Sequence, residues 1–112
     1  MDETIFSESN VGKRLGKIRR DESRCLLFRG KSIPLVAKVA IGRNRENNLV
    51  IDDKMASRFH AVVQKIKNEF FLQDLNSTNG TYVNKVRVPR GKYVKLHQKD
   101  VIRIGRTEIT FE

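Results

Sequence analysis

The chain has 112 residues, of which 38% are hydrophobic, and its formal net charge is +10. This length suits one domain of ordinary size and is too short for two. No apolar run approaches the roughly 20 residues of a membrane-spanning helix, and the N-terminus lacks the layout of a signal peptide. The single cysteine, Cys25, cannot form an internal disulfide and favours a reducing compartment, so the sequence predicts a cytoplasmic protein.

The excess of positive charge points to a polyanionic partner. Nucleic acid, an acidic membrane surface and phosphorylated or acidic protein segments all belong to this class. Charge alone does not choose among them, and scattered basic residues also serve simply to keep a small domain soluble.

Residues 1–22 differ in composition from the rest of the chain. Asp2, Glu3 and Glu8 make the first ten residues acidic overall, and residues 13–20 then form a basic stretch that contains no acid. Gly12 and Gly16 interrupt any helical pattern. We therefore predict a flexible tail or linker over residues 1–22, followed by a single domain over residues 23–112.

From Arg24 onwards, short apolar segments rich in β-branched residues alternate with turn signals. Residues 35–41 show the period of two that is typical of a half-buried strand. Asn79-Gly80 is a hairpin-type turn dipeptide. We count about ten or eleven short strands and find no convincing helical window. The sequence therefore predicts an all-β fold, an antiparallel β-sandwich whose loops cluster at its two ends.

Three polar motifs fall at the ends of predicted strands or in loops. They are Gly42-Arg43, Ser57-Arg58-Phe59-His60 and Ser77-Thr78-Asn79-Gly80-Thr81. Arginine offers a planar fork that matches phosphate oxygens, and hydroxyl and amide groups add further hydrogen-bonding capacity. Such an inventory is typical of a surface that recognises an anion and holds a peptide backbone.

Each motif taken alone has an ordinary explanation. Gly42-Arg43 could be a strand end followed by a solvated cation, and Asn79-Gly80 could be a plain hairpin turn. Ser57 and His60 could also be a nucleophile and its base. However, residues three apart on a strand tend to point to opposite faces, and the sequence has no nucleophile elbow.

In order and spacing the three motifs resemble the forkhead-associated (FHA) domain, a module that binds phosphothreonine peptides. Val83-Asn84 and Gly105 match the same pattern, and the resemblance covers roughly residues 23–112. One departure is Asn84-Lys85, where the family often has Asn-Gly. This difference affects a distant turn rather than the expected pocket.

The resemblance implies a role for each matching residue. It implies that Arg43 makes the main contact with the phosphate and that Arg58 adds a second positive charge. Ser57 and Thr78 would donate hydroxyl hydrogen bonds, and Asn79 would bind the main chain of the peptide. Residues that would support the site structurally are Gly42, His60 and Gly80.

Selectivity beyond the phosphate typically comes from neighbouring loop residues. Candidates for this role are Arg45, Asn47, Asn48, Lys54 and Met55, of which the cations would favour an acidic peptide. The expected partner is a phosphothreonine-containing protein in a Ser/Thr kinase signalling pathway. Thr4 is a candidate phosphosite whose phosphorylation would close the site or pair two chains.

Binding of nucleic acid or of polyanions in general is the main alternative. It accounts for the net charge and for the basic run over residues 13–20. It also predicts exposed aromatic side chains or a recognition helix, neither of which the sequence shows. We find no metal-ligand cluster and no Gly-rich nucleotide loop, and so we expect a binding module without cofactor, metal or catalytic activity.

Overall fold

The computed structural model describes residues 23–112, whereas the predicted tail and Thr4 lie outside the described residues. Eleven strands and no helix are found in this part of the chain. The strands are β1 Cys25–Phe28, β2 Lys31–Pro34, β3 Lys38–Gly42, β4 Leu49–Val50, β5 Ala61–Ile66, β6 Glu69–Asp74, β7 Tyr82–Val83, β8 Val86–Arg87, β9 Tyr93–Lys95, β10 Val101–Ile104 and β11 Thr107–Phe111.

These strands form two sheets packed as a sandwich. One sheet has six strands in the order β2-β1-β11-β10-β7-β8, and the other has five in the order β4-β3-β5-β6-β9. All strand pairs are antiparallel except β3 and β4, which run parallel. The predicted all-β sandwich of about eleven strands is therefore confirmed, with one parallel pair that the sequence did not predict. No helix in residues 23–112 is long and apolar enough to cross a membrane.

Aliphatic side chains dominate the core between the sheets, as the absence of Trp from the sequence requires. Strands such as β11 show why the sandwich forms, because Thr107, Ile109 and Phe111 are buried while the residues between them are not. Phe70 of the five-stranded sheet meets Phe111 of the six-stranded sheet with ring centroids 5.4 Å apart. These contacts hold the two sheets together through a continuous apolar layer.

The alternating segment over residues 35–41 is not one strand. Its first part is a bend, in which Val36 is 79% exposed, and β3 begins only at Lys38. The bend carries the chain from β2 in one sheet to β3 in the other. Leu35 is buried nevertheless, and its N–H donates to the carbonyl of Arg24 at 2.9 Å. The apolar period therefore continues across a change of sheet, which periodicity alone cannot reveal.

One register row of the five-stranded sheet brings the polar motifs together. Ile41 pairs with Ala61, and Ala61 pairs with Asp74. Because β5 runs antiparallel to both β3 and β6, the end of β3, the start of β5 and the end of β6 lie together at one end of the five-stranded sheet. The three motifs are found in the segments that lead away from this row.

Gly42 shows how closely these segments approach one another. A Cβ atom built on Gly42 would overlap the carbonyl oxygen of Arg58 and would lie 2.9 Å from Nδ2 of Asn47. Both neighbours are held by hydrogen bonds, so neither can move away without loss.

We therefore expect Gly42→Ala to destabilise the domain by about 2–3 kcal/mol, the usual cost of overpacking. Gly91→Ala is the matched control, because Gly91 has nothing within 4 Å of a built Cβ but has a φ of +73°. Its cost should be confined to the backbone conformation, about 1 kcal/mol. Urea unfolding of both variants measures the difference, and equal losses would contradict the close approach at Gly42.

Candidate functional site

Backbone hydrogen bonds join the segment after β3 to the segment before β5. The N–H of Arg43 donates to the carbonyl of Ser57 at 3.0 Å, and the N–H of Asn44 donates to the carbonyl of Arg58 at 3.1 Å. The first two motifs of the sequence are therefore adjacent in space. Their adjacency follows from the pairing of β3 with β5, which delivers both segments to the same end of the sandwich.

The guanidinium of Arg43 is anchored at one point. Its Nε donates to the carbonyl of Ala56 at 2.7 Å, while the side chain is exposed. No hydrogen bond within residues 23–112 occupies its two terminal nitrogens. The fork is thus oriented by the protein and keeps the four N–H groups that match two anionic oxygens.

Ser57 and Thr78 connect the second motif to the third. The backbone N–H of Thr78 donates to Oγ of Ser57 at 3.1 Å. Because the Ser57 hydroxyl accepts this bond, its own proton remains available to a ligand. The hydroxyl of Thr78 is exposed and has no partner among the described residues.

Asn79 fixes a third point of contact between the loops. Its Nδ2 donates to the carbonyl of Met55 at 2.9 Å, while the residue itself is exposed. The side-chain oxygen and the second N–H of Nδ2 make no bond within residues 23–112, and these are the groups that pair with a peptide backbone. Arg43, Ser57, Thr78 and Asn79 therefore belong to one hydrogen-bonded cluster, which we call the loop cluster.

His60 lies beneath this cluster and is fully buried. The backbone N–H of Ser57 donates to its Nδ1 at 3.0 Å, and its Nε2 donates to the carbonyl of Gly80 at 2.9 Å. Both ring nitrogens are thus engaged with backbone groups of two different loops, and this pattern requires the neutral ring with its proton on Nε2. No hydrogen bond joins His60 to the hydroxyl of Ser57, so the pair lacks the geometry of a nucleophile and its base.

Burial lowers the pKa of His60 below its ordinary value, although the bond to Gly80 and the charges of Asp74 and Asp53 act in the opposite direction. The neutral form is therefore the one that the folded protein holds.

Asp74 is a site residue whose structural importance the sequence did not reveal. Its side chain is fully buried, with Oδ1 accepting from Oγ of Ser77 at 2.5 Å and from Oγ1 of Thr81 at 2.6 Å. Oδ2 accepts from the backbone N–H of Ser77 at 3.0 Å. Burial would raise the pKa of Asp74, but these hydrogen bonds outweigh it and lower the pKa below its usual value. The signal in the sequence was an acid at a strand end, three residues before a serine.

Asp53 was likewise missed, and it fastens the loop cluster to the other sheet. Its carboxylate accepts from the backbone N–H of Met55 and of Arg106 and from Oγ1 of Thr107, each at 2.9 Å. The backbone hydrogen bonds from Met55 and Arg106 lower its pKa. Gly105 has a φ of +62° and lies against this carboxylate, so a side chain there would displace Asp53.

The expected specificity residues fall into two groups. Arg45, Lys54 and Met55 are exposed at the rim of the loop cluster. Lys54 and Met55 line a groove of about 600 Å³ that reaches the turn between β10 and β11, and Arg45 lines a second one of about 420 Å³ beside Arg43.

Asn47 differs from them because it is buried, and its expected contact with a ligand stays a prediction. It is only 6% exposed, and its Nδ2 donates to the carbonyls of Asn44 and Arg58, both at 2.8 Å. It is a brace between the two loops. Asn48 is exposed but also has a bond inside the domain, because its Oδ1 accepts from the N–H of Ala40 at 2.8 Å. The exposed Arg58 contributes its backbone carbonyl to this bracing, and its side chain has no hydrogen-bond partner in residues 23–112.

Residues 39–105 match the family model of the FHA domain, which is more than half of the chain. This chain belongs to the FHA domain family. The transcriptional regulatory protein EmbR of Mycobacterium tuberculosis is 37% identical over 84 residues, which is 74% of this chain and 21% of EmbR. The chain therefore spans about a fifth of the length of that relative.

Two solved structures similar to this FHA domain contain a phosphopeptide. The MEK1 FHA domain in complex with a phosphothreonine peptide of HOP1 is 31% identical with a TM-score of 0.72, covering 79% of this chain and 93% of that one. Mycobacterium tuberculosis EmbR in complex with a low-affinity phosphopeptide is 28% identical with a TM-score of 0.76, covering 95% of this chain and 30% of that one.

Within residues 23–112 no group of three or more His, Cys, Asp or Glu side chains could hold a metal ion. The unpartnered side-chain groups of Arg43, Ser57 and Thr78 are donors, and the nearby carboxylates of Asp53 and Asp74 accept bonds from the protein itself. Such an arrangement is suited to holding an anion.

The buried neutral ring of His60 makes a testable contribution to stability. Because its pKa is lowered by folding, the unfolded chain binds more protons as the pH falls through about 6.5, and the domain loses stability there. We expect the free energy of unfolding to decrease from pH 7.5 to pH 5. His60→Gln should remove this slope, and by losing the two backbone contacts it should cost about 2–4 kcal/mol at pH 7.5.

Denaturant unfolding at several pH values tests this. The matched control is His97→Gln, because His97 is exposed and lies at the β9–β10 turn. The control should keep the slope of the unsubstituted protein. A slope that persists in His60→Gln would show that another group is responsible. Asp53 and Asp74, whose pKa values are also lowered, act in a separate range, where stability is lost as the pH falls below about 4.

Proposed function

We propose that this FHA domain binds a phosphothreonine-containing segment of another protein through the loop cluster. The observation that supports the proposal is that the hydrogen-bond donors of the loop cluster are fixed in position and still without partners in residues 23–112. Hydrogen bonds within the domain fix Arg43, Ser57, Thr78 and Asn79 relative to one another, and each keeps hydrogen-bonding groups without a partner in residues 23–112. The structurally similar domain of MEK1 in complex with a phosphothreonine peptide supports the same use of the fold.

A phosphothreonine carries a charge of about −1.5 to −2 and three acceptor oxygens. In the proposed complex the free nitrogens of Arg43 contact two of these oxygens, and the hydroxyls of Ser57 and Thr78 donate to the phosphate. Arg58 adds positive charge at the rim. Asn79 pairs with the main chain of the peptide, and this contact fixes the direction of the chain past the phosphate.

Preorganisation is the physical advantage of this arrangement. The loops are already held by hydrogen bonds of His60, Asp53 and Asp74, so binding need not order them. Gly42 and Gly80 belong to the same support, since a side chain at either position would overlap a neighbouring group. Lys54, Met55 and Arg45, on the rim grooves, are the proposed readers of residues that flank the phosphothreonine.

We further propose that the domain extends over residues 23–112 and acts in a Ser/Thr kinase signalling pathway in the cytoplasm. The single cysteine supports a reducing compartment. Recognition rather than catalysis is the proposed activity, because His60 is engaged with backbone groups and does not activate Ser57.

The test compares three ligands by calorimetry at two salt concentrations. They are a phosphothreonine peptide library, the same peptides without phosphate, and duplex DNA. We expect binding only to the phosphorylated peptides. Binding to all three ligands with the same steep salt dependence would instead support general polyanion binding.

Arg43→Ala should abolish measurable binding of the selected phosphopeptide while the domain stays folded. Loss of a charge-paired contact costs about 2–5 kcal/mol of binding energy, because the phosphate loses its best-matched partner. The fold should lose only about 1 kcal/mol, since the exposed side chain makes a single internal hydrogen bond.

Lys38→Ala is the control for the loss of one positive charge. Lys38 is exposed at the start of β3, at the opposite end of that strand from Gly42. It should bind like the unsubstituted domain. Equal affinities of Arg43→Ala and Lys38→Ala would exclude Arg43 from the phosphate site.

A further inference from the structure

Two arginines outside the expected site contact the third motif. Arg87 packs on Gly80, so that a Cβ built on Gly80 would lie 2.7 Å from its Nε and 3.1 Å from its Nη2. Arg90 reaches the same loop, where its Nη2 lies 3.5 Å from the carbonyl oxygen of Thr78. Gly80 has a φ of +89°, and the lack of a side chain there leaves the space that the guanidinium of Arg87 occupies.

The backbone holds both arginines in this position. Arg87 pairs with Tyr82 across the β7–β8 hairpin, and the N–H of Val88 donates to the carbonyl of Thr81 at 2.9 Å. Arg90 forms a parallel bridge with Asp74, and the following N–H, that of Gly91, donates to the carbonyl of Asp74 at 3.1 Å. The segment is thus tied to both ends of the loop that carries Thr78 and Asn79.

No carboxylate neutralises these two cations in the part of the chain that the structure describes. In residues 23–112 the ion pair found is that of Lys95 with Glu69. The carboxylate of Asp74 is buried and takes its bonds from Ser77 and Thr81. Arg87 and Arg90 are both exposed, and Arg87 makes no side-chain hydrogen bond in residues 23–112.

We propose that Arg87 and Arg90 form a second anion subsite beside the phosphate site. The inference rests on the proposed function and adds to it the class of ligand. The subsite would bind a carboxylate or a second phosphate on the same peptide. Arg87 packs on Gly80, which follows Thr78 by two residues in the same loop, and a bound peptide in extended form advances about 3.3 Å per residue. The second anion should therefore lie about two to three residues from the phosphothreonine.

Two guanidinium groups that lie against one loop suit this task. Each retains N–H groups in a rigid fork, and charge-assisted bonds of this kind are stronger than neutral ones. They also act on the peptide from a different side of the loop than Arg43 and Arg58, since they come from β8 and the segment after it. A peptide whose only anionic group is the phosphothreonine would leave this subsite unused.

The experiment measures affinities for four phosphothreonine peptides that differ only in flanking residues. One has alanines on both sides. Two carry glutamates at the second and third positions, on the N-terminal or on the C-terminal side. In the fourth, a second phosphothreonine replaces the glutamates on the side that binds better.

We expect one of the two glutamate peptides to bind at least about tenfold more tightly than the alanine peptide. Arg87→Gln with Arg90→Gln should remove most of this gain and change the affinity for the alanine peptide by less than about twofold. The glutamate and doubly phosphorylated peptides distinguish a carboxylate from a second phosphate as the bound anion. The peptide whose affinity falls more in the double variant carries the anion that the subsite binds.

Lys38→Gln with Lys67→Gln is the matched control, because it removes the same charge from exposed positions away from the loop cluster. It should leave all four affinities within about twofold. Equal losses in the two double variants would overturn the subsite and indicate a general effect of net charge. If the double variant fails to fold, Arg90→Gln alone serves, since Arg90 makes one contact at 3.5 Å.

The same titrations separate this inference from the proposed function. If the unsubstituted domain binds phosphorylated and unphosphorylated peptides equally, the phosphothreonine site itself is wrong, and the subsite falls with it. If binding depends on phosphate but no acidic flank improves it, the proposed function stands and the second subsite is wrong.

Discussion

Two loops of this domain are held together by one buried histidine. His60 accepts a hydrogen bond from the backbone of Ser57 on one side and donates one to the backbone of Gly80 on the other. A neutral imidazole is well suited to this because it is at once a donor and an acceptor at fixed separation. The candidate ligand contacts of the second and third motifs lie on the two loops that this ring joins, so the geometry of the site depends on its protonation state and on its burial.

The acidic residues explain why so basic a domain keeps its cations free. Asp53, Asp74 and Asp100 accept hydrogen bonds from backbone or side-chain groups of the domain itself. Carboxylates used in this way stabilise loops and are not available as partners for surface arginines. Residues 23–112 therefore combine internal bracing by acids with exposed arginines, such as Arg58, Arg87 and Arg90, that have no carboxylate partner among these residues. Such a surface attracts acidic ligands and raises their rate of encounter.

Rigidity and free donors occur together in the loop cluster. Arg43 uses Nε for the protein and leaves its terminal nitrogens, while Ser57 uses an oxygen lone pair and leaves its proton. Each side chain is thus oriented by one internal bond at little cost to its capacity for a ligand. This division explains how exposed polar residues can be preorganised, since an unanchored arginine would lose more conformational freedom on binding.

Much of this arrangement could be predicted from the sequence. Period-two segments and turn dipeptides predicted the sandwich, and the three motifs located the loop residues, because these features depend on neighbours along the chain. The bend at Val36 could not be predicted in this way, since the apolar period continues while the strand changes sheets. Asn47 looked like an exposed loop residue and is a buried brace, since its partners Asn44 and Arg58 approach it only in the folded loop pair.

The sequence by itself determined the class of fold, the family and the set of donors that could meet a phosphate. Only the tertiary structure decided which of these donors are free, which acids hold the loops, and that Arg87 and Arg90 lie against the third motif. The physical reason is that hydrogen bonds consume donors and acceptors pairwise across long separations, such as that between Asp53 and Thr107. A local pattern records which groups a chain possesses, whereas the register of paired strands determines which of them remain for a partner.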